Sequence, residues 1–401
     1  MGKANTNKSL IFRHPFSFGA IVFGSISIFI GVGLGFIVLE YLLRTFDLGS
    51  KMVYQPSRLY GWSHTPRDRF RWNIGNSAVD ISINSLGLRD YEYPYEKPKG
   101  VFRILVLGDS FSEAFQVPLE QTFTKQMEIL LNGVALKEYS KIEVINTGVS
   151  GYGTDNEFLF FKSEGYKYQP DVVLLAFCIC NDVRNNGHEL EKLDVGGDRK
   201  SYFIFGESGL VLKDYPFDRE KNIFTEFKFF LNRNVRSYTF LREMWDRVKY
   251  QERVSQVGMP LDLHLYGEKY SDEWQNAWLV TKALLQQLKI EANKNSAKIM
   301  VALIPTQYQV RSEFWHKALD TYPKMRNGTW DVDKPNRILR AFFDEEHIEY
   351  IDLLPEFREQ AEDGQEEFYL LSDGHWNERG HRLAGRLIVD RILSSGLLGN
   401  H

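Results

Sequence analysis

The sequence predicts an α/β protein built on a flavodoxin-like, doubly wound sheet of about five parallel strands with flanking helices. Three observations favour this fold class. From residue 101 onward, apolar strand segments alternate with amphipathic helical segments. The run 171–179 (DVVLLAFCI) is apolar on both faces, as strands in helix-covered parallel sheets are. Polar residues follow the first and third strands, at the edge where such sheets bind ligands.

The strand and helix segments occur in alternating order along the chain. The predicted strands are 103–107, 142–145, 171–179, 298–304 and 348–351. The predicted helices are 123–131, 154–165, 274–295, 336–346 and a last helix capped by Asn377. Thr154 and Glu157 have the spacing of a capping box, which predicts that Thr154 caps the second helix.

The N-terminal segment has a different composition from the rest of the chain. No residue from Pro15 to Leu39 is charged, and about 20 apolar residues suffice for a helix to cross a bilayer. No Ala-x-Ala cleavage pattern occurs near residues 40–48, which favours an uncleaved anchor over a signal peptide. We therefore predict a short tail at 1–14 and a transmembrane helix at 15–41.

Basic residues flank this helix in nearly equal numbers: Lys3, Lys8 and Arg13 before it, and Arg44, Lys51 and Arg58 after it. The positive-inside rule slightly favours a cytoplasmic N-terminus, with the main domain periplasmic or at the cell surface. Gly31 and Gly35 form a small-xxx-small pair that could bring two such helices together as a dimer. Glycine that is simply tolerated within a membrane helix explains them equally well.

The remaining chain divides into a lead-in and a main domain. Residues 42–100 have little periodicity and predict an irregular lead-in with a turn at Asn84–Gly87. The main domain is predicted at 101–398, with 183–272 as an inserted lid or subdomain. The insert interleaves aromatic and basic residues, which suit either stacking on sugar rings or packing of the insert's own core.

Charge and cysteine content exclude several classes of function. A net charge of -4 and a pI near 6.2 give no basic surface for nucleic acid. Cys178 and Cys180 lie two residues apart in a predicted strand, a spacing that bridges poorly, and two thiols are too few for a zinc site. We predict small buried residues there, and neither a metal nor a cofactor.

Three loops carry the residues expected to perform chemistry. Ser110 follows the first strand, where its hydroxyl can act as a nucleophile and its N–H can face an oxyanion; Ser112 is the nearby competitor. Gly148, Gly151 and Gly153 follow the second strand, and any of the three can offer a backbone N–H. Asn181 follows the third strand, and its neutral amide suits an oxyanion hole. Each motif alone is also an ordinary turn.

The base and the group that orients it are expected just before the last helix. His375 is one of nine histidines, and it follows Asp373 at a spacing that lets the carboxylate hold the imidazole ring. His381, within the last helix, is interpreted as structural. Ser110, His375 and Asp373 then form a predicted catalytic triad, with Ser110, Asn181 and one of the glycines after the second strand as the oxyanion hole.

In these blocks the chain resembles the SGNH, or GDSL-like, hydrolase superfamily. The matching blocks are Gly108-Asp109-Ser110, the run 146–151 that ends at Gly151, Asn181-Asp182, and Asp373 with His375. The resemblance thereby implies that Gly151 is the glycine of the oxyanion hole. The run 84–90 is similar to a lead-in of membrane-anchored bacterial members. Two departures occur: Ile179 stands where the family usually has glycine, and the last block is Asp-x-His rather than Asp-x-x-His. The shorter block resembles a branch that includes exopolysaccharide O-acetylation proteins, and it leaves either Asp373 or the backbone near Ser372 to orient His375.

The resemblance implies a serine ester hydrolase that removes acyl groups, from an envelope glycan or from a lipid. An O-acyltransferase using the same triad for polysaccharide acylation is the first alternative, since water or a sugar hydroxyl can meet an acyl-enzyme. A non-catalytic envelope binding or assembly protein is the second, although the complete set of catalytic side chains argues against it.

Overall fold

The computed structural model describes residues 18–46, 48, 53–75, 77–134, 138–195, 199–207, 209–214, 223–362, 367–371 and 373–398. The predicted tail at 1–14, the flanking charges Lys3, Lys8, Arg13 and Lys51, and Ser372 lie outside these residues. The chain forms two compact units. One comprises Met1–Lys51 with Glu226–Met244, and the other comprises Met52–Thr225 with Trp245–His401.

The larger unit contains the predicted parallel sheet. Its strands are β5 (Val101–Gly108), β6 (Lys141–Asn146), β7 (Val172–Cys178), β10 (Lys298–Ile304) and β11 (Glu349–Asp352). They lie in the order β11-β10-β7-β5-β6, and every neighbouring pair is parallel. The winding therefore reverses between β5 and β7. The prediction of a flavodoxin-like, doubly wound sheet is confirmed, because this is the order that places the first strand beside the third.

Side chains of alternate strand residues enter two hydrophobic cores, one on each face of the sheet. Leu105 and Leu107 of β5 belong to one core, and Ile104 and Val106 to the other, as the two-residue period of a strand requires. The helices that cover the faces are α3 (Phe123–Gly133), α4 (Thr154–Ser163), α9 (Asp272–Lys294), α12 (Lys334–Glu346), α13 (Leu354–Glu362) and α14 (Glu378–Ser394). The hydrophobic effect on both faces thus holds the sheet between two helical layers.

The sequence predicted the N-terminal caps of two helices, α4 and α14. Asn377 caps α14 as predicted, because its side chain accepts hydrogen bonds from the N–H groups of Arg379 and Gly380. The prediction that Thr154 caps α4 is wrong. Thr154 is the first helical residue, Gly153 stands at the cap position, and the side chain of Asn186 accepts from the N–H of Asp155 instead. A partner brought by the fold has replaced the local capping box.

The lead-in contains short strands that periodicity did not reveal. They are β1 (Tyr54–Ser57), β2 (Gly61–His64), β3 (Arg69–Ile74) and β4 (Ser77–Ser82), which form two antiparallel pairs. Strands of this length give too few alternations to stand out in a sequence. The insert contains α5 (Asp182–Asn186), α6 (His188–Val195), the hairpin β8–β9 (Tyr202–Gly206, Gly209–Lys213), α7 (Ile223–Asn234) and α8 (Arg236–Val257).

The smaller unit includes the apolar N-terminal helix α1 (Phe18–Thr45). Its segment Val22–Thr45 has a mean hydropathy of 2.4, and its most apolar stretch is not buried within the protein. The helix is therefore long and apolar enough to cross a membrane, a property shared by membrane anchors and signal sequences.

Candidate active site

Ser110 begins the short helix α2 (Ser110–Glu113) directly after β5. Asp109 caps this helix, since its carboxylate accepts a hydrogen bond of 2.9 Å from the N–H of Phe111. The N–H of Ser110 has no acceptor among the described residues, so it is free to face a ligand. The competitor Ser112 is fully buried, against Gly108 and Gly148, and a substrate does not reach its hydroxyl in this conformation.

His375 lies against the loop that carries Ser110, although the two residues are far apart in the sequence. Its Nε2 atom is 2.8 Å from the Oγ atom of Ser110, which is hydrogen-bonding distance. Its ring packs against Phe111, with 5.0 Å between ring centroids. The neighbouring Trp376 is completely buried and stacks on Phe357, which fixes the loop to the core. Ser110 and His375 can therefore exchange a proton without a backbone movement.

Asp373 contacts His375 in two ways. Its Oδ1 atom accepts a 3.0 Å hydrogen bond from the backbone N–H of His375, and its Oδ2 atom lies 3.4 Å from the ring Nδ1. The second contact is an ion-pair distance, and Nδ1 has no aligned hydrogen-bond acceptor among the described residues. Gly374 between them has a φ of +76° and packs on Gln307, a position that favours glycine.

These contacts shift the proton affinity of both groups. Burial lowers the pKa of the His375 imidazole, but the Asp373 carboxylate and the charges of Asp109 and Glu113 outweigh burial, so the pKa is raised above its ordinary value. Burial raises the pKa of Asp373, yet its bonds to His375 and to Gln116 outweigh burial and leave it lowered. Asp373 is thus an anion that stabilises the imidazolium form of His375.

Asn181 lies at the carboxyl end of β7, across a cavity from His375. It stands at the N-cap position of α5, where its side chain makes no capping bond but does hydrogen-bond the buried Asp109 carboxylate. The amide has two N–H bonds, so one is left to face a ligand. The cavity has a volume of about 290 Å³. Its walls are formed by Ser110, Phe111, Cys180, Asn181, Arg184, Asp262, Leu263, Tyr266, Thr306, Gln307, Tyr308, Asp373, Gly374 and His375. The fold therefore brings four of the five predicted site residues to one cavity.

Gly151 is the site residue that does not line this cavity. Its φ is +76°, which favours glycine, and its carbonyl accepts a 3.1 Å hydrogen bond from the Asn185 side chain. Asn185 belongs to α5, the helix that Asn181 precedes. The glycine loop is thus tied to the asparagine loop, while a direct role for the Gly151 N–H remains a prediction.

The expectation that the two cysteines stay unbridged is wrong, because Cys178 and Cys180 form a disulfide. The prediction assumed that both lie in one straight strand. Instead β7 ends at Cys178, and the chain turns so that the Cα atoms are 5.2 Å apart, within the ordinary range for a bridge. Asp109 lies within 4.8 Å of both sulfur atoms, but bridged sulfurs offer no thiolate to a metal.

A buried polar network behind the nucleophile was not predicted. The Glu113 carboxylate, at the end of α2, accepts hydrogen bonds from His64 Nε2 at 2.6 Å, from the Tyr54 hydroxyl at 2.8 Å and from the Ser150 N–H at 3.1 Å. Glu113 and His64 are both buried. The network joins the lead-in, α2 and the loop 146–151. Of its members, only Ser150 lies in a block that the sequence had marked.

The run 84–90 supports the same helix. Asn84 forms the predicted turn, since its side-chain oxygen accepts from the N–H groups of Leu86 and Leu88. The buried guanidinium of Arg89 donates to the carbonyls of Glu113, Ala114 and Val117, where α2 ends. An arginine suits this position because the last carbonyls of a helix lack partners within it. The lead-in motif therefore holds the nucleophile helix in place.

The next residue, Asp90, is buried beside Lys125. Its carboxylate is 2.8 Å from the Lys125 ammonium group and accepts a 2.6 Å hydrogen bond from the N–H of Asn146. Burial raises the pKa of Asp90 to about 6, although the Lys125 charge opposes this shift. The pair fixes the lead-in to the end of β6.

No protein-family model matches the chain, and no curated protein matches it. Among solved structures, the chain is similar to an acetylxylan esterase from Geobacillus stearothermophilus, with 15% identity and a TM-score of 0.38 over 73% of this chain and 94% of that chain. It is also similar to a lipase/acylhydrolase from Enterococcus faecalis, with 15% identity and a TM-score of 0.36 over 73% of this chain and 96% of that chain. At these levels neither likeness assigns an activity or a substrate.

Proposed function

We propose that this protein is a serine ester hydrolase that removes a short acyl group from a glycan. The observation that carries the proposal is the 2.8 Å contact between Ser110 Oγ and His375 Nε2 at the wall of a cavity that Asn181 also lines. A hydroxyl against an imidazole is the arrangement that nucleophilic acyl transfer requires.

In the proposed reaction, Ser110 Oγ attacks the ester carbonyl carbon while His375 Nε2 takes the hydroxyl proton. The oxyanion accepts hydrogen bonds from the Ser110 N–H and the Asn181 amide, and the Gly151 N–H is the third predicted donor. Collapse of the intermediate breaks the ester C–O bond, and the alcohol leaves with the proton from His375. Water then attacks the acyl carbon on Ser110 while His375 takes a proton from it. The bond between that carbon and Ser110 Oγ breaks, His375 returns the proton to Oγ, and the carboxylic acid is released.

The wall of the cavity supports a glycan rather than a long-chain lipid as the acyl carrier. It combines aromatic rings with hydrogen-bonding side chains, among them Arg184, Thr306 and Gln307. A long acyl chain needs a continuous apolar wall, whereas a sugar ring uses both kinds of contact. Tyr308 also lines a second cavity of about 530 Å³ that contains Trp315, Arg311 and Arg358, which offers room for further sugar residues.

The membrane-anchored, extracytoplasmic location is part of the same proposal. An uncharged helix at the N-terminus supports the anchor, and the Cys178–Cys180 disulfide supports an oxidising compartment for the catalytic residues. Protease digestion of intact spheroplasts checks the orientation. The proposal requires the residues after α1 to be cut from outside, and their protection would reverse it.

Ester hydrolysis is tested with the full chain in detergent. The substrates are a short-chain aryl ester, a long-chain aryl ester and an O-acetylated oligosaccharide, each with and without an added unacetylated glycan. Turnover of the short ester and the oligosaccharide, with water as acceptor, supports the proposal. Transfer of the acyl group to the added glycan in preference to water would favour the acyltransferase instead, and no turnover of any ester would favour a binding protein.

The pH dependence of hydrolysis depends on Asp373. Hydrolysis needs a neutral His375 ring, so kcat/KM rises as pH passes upward through the pKa of His375, which Asp373 raises. Asp373→Asn removes this anion, and we expect the rise to move to lower pH by about one unit. A kcat/KM profile for each variant measures the shift, with the exposed Asp80→Asn as the matched control. An unmoved profile would leave the backbone near Ser372 as the orienting group.

Replacing Tyr308 is expected to raise KM more for large substrates than for small ones. Its ring lines both cavities, whereas a small aryl acetate occupies only the cavity over Ser110. Loss of an aromatic contact of about 1 kcal/mol raises KM by roughly fivefold to tenfold. Tyr308→Ala should therefore raise KM more for the acetylated oligosaccharide, which extends into both cavities, than for the aryl acetate, which can meet the ring only in the cavity over Ser110. Equal losses on both substrates would instead indicate damage to the catalytic residues.

A further inference from the structure

The insert contains two helices with exposed apolar faces, α7 and α8. In α8, the residues Met244, Trp245 and Val248 lie three, four and seven positions after Leu241, which places all four on one face of the helix. They are between 42% and 61% exposed. In α7, Phe227 and Phe230 are more than half exposed on one face. Such a continuous face is unusual at a water-exposed surface.

The end of α7 and the start of α8 are both hydrogen-bonded to the C-terminal part of the apolar helix α1, within the smaller unit. The Glu40 carboxylate accepts hydrogen bonds from the N–H groups of Arg236 and Ser237, at 3.1 and 2.7 Å, where α8 begins. Arg44 donates to the carbonyl of Asn234, the last residue of α7, at 2.6 Å. The described charged residues of α1 therefore cap the end of α7 and the start of α8, which meet at residues 234–236.

The hydrogen bonds to Glu40 and Arg44 fix where the end of α7 and the start of α8 lie relative to the bilayer. The uncharged part of α1, from Phe18 to Leu39, is about 33 Å long at the rise of an α-helix. A bilayer hydrocarbon core is about 30 Å thick, so Glu40 and Arg44 fall at its boundary with the headgroups. The start of α8 and the end of α7 are bonded to these two residues, and they lie at the same level.

The charged residues of α7 and α8 favour binding to lipid headgroups. Residues 223–257 contain seven lysine and arginine residues against four acidic residues, although the whole chain has a net charge of -4. Amphipathic helices with aromatic residues on one face and basic residues on the other lie in the membrane interface and bind anionic lipids. Trp245, with Lys249 beside its ring at 5.3 Å, is a residue pair typical of that region.

We infer that the consecutive helices α7 and α8 form an interfacial membrane element, which lays the faces of Phe227–Phe230 and Leu241–Val248 into the bilayer surface beside the point where α1 emerges. The inference rests on the proposed anchor and is independent of the ester chemistry. With this element, the long insert provides a second membrane contact. That contact restrains α7 and α8 against rotation about the anchor helix α1.

The test uses the full chain in liposomes containing anionic phospholipid, with one introduced cysteine carrying an environment-sensitive fluorophore. The bridged native cysteines take no label, which the parent chain checks. Leu241→Cys places the probe on the apolar face, Asp246→Cys places it on the opposite face of the same helix, and Ile30→Cys places it within α1. Some of the lipids carry a nitroxide quencher, either near the headgroup or deep in the acyl chain.

We expect a blue-shifted emission at Leu241→Cys that the shallow quencher reduces, and solvent-like emission without quenching at Asp246→Cys. A blue shift without lipid quenching would mean that protein covers the face, either a second copy or a partner, and would overturn the inference. Solvent-like emission at both positions would overturn it too. The emission of the probe at Ile30→Cys should be reduced by the deep quencher. If it is not, the proposal that α1 is a membrane anchor is wrong, and the inference about α7 and α8 is overturned with it.

Discussion

Replacing Ser110 with alanine is expected to lower kcat for a short-chain aryl ester by about 10⁴-fold or more. The hydroxyl is the proposed site of covalent attack, and His375 has no other described hydroxyl at its Nε2 atom. Residual hydrolysis would come from the oxyanion donors and from binding alone. The measurement is kcat for the purified full chain, with acyl-enzyme detected by mass spectrometry after rapid quenching of the parent protein.

Ser112→Ala is the matched control for this change. Ser112 lies two residues further along α2, is fully buried, and has no hydrogen-bond partner for its hydroxyl among the described residues. Its loss should leave both kcat and the melting temperature near those of the parent. A Ser110→Ala protein that keeps the parental kcat would exclude Ser110 as the nucleophile, and a collapse of activity in Ser112→Ala alone would require a rearranged loop.

Replacing Asn181 with alanine is expected to lower kcat by about 10²- to 10³-fold with little change in KM. The amide donates to charge that develops in the transition state and is absent from the bound ester, so its loss affects the rate more than binding. Asn181→Asp should cost more than Asn181→Ala. It keeps the size of the side chain but replaces a donor with an anion that repels the oxyanion.

Stability provides the control for both Asn181 variants. The side chain makes no capping bond to α5, but it hydrogen-bonds the buried Asp109 carboxylate, so we expect a small fall in melting temperature for Asn181→Ala. A large fall in melting temperature would mean that the amide supports the fold, and the loss of rate would then say nothing about an oxyanion. An unchanged kcat with unchanged stability would remove Asn181 from the proposed site.

The sequence predicted the sheet well because parallel strands carry a strong local signal. A strand that is buried on both faces, such as Val172–Cys178, must be apolar throughout, and the helices between strands must each present an apolar face to it. The start of a helix was predicted less well where the residue that caps it is distant in the sequence. The cap of α4 comes from Asn186, more than 30 residues away, and no local pattern encodes that contact.

The sequence also pointed to the residues of the site but not to what supports them. Ser110 and Asn181 were expected together because adjacent strands of a doubly wound sheet end at one edge. The disulfide could not be foreseen, because it depends on where β7 ends and the chain turns. The pairing of His64 with Glu113 was equally hidden, since the two residues are buried together only after the lead-in has folded onto the nucleophile helix.

By itself, the amino-acid order determined the fold class, the apolar N-terminal helix and the set of side chains that could perform acyl transfer, since each depends on local periodicity or residue type. The tertiary structure alone decided three further features: the 2.8 Å approach of Ser110 to His375, the Arg89 cap on α2, and the bonding of Glu40 to the start of α8. These contacts join residues that are far apart in the chain. Their geometry depends on packing and burial over the whole domain, which no short stretch of sequence contains.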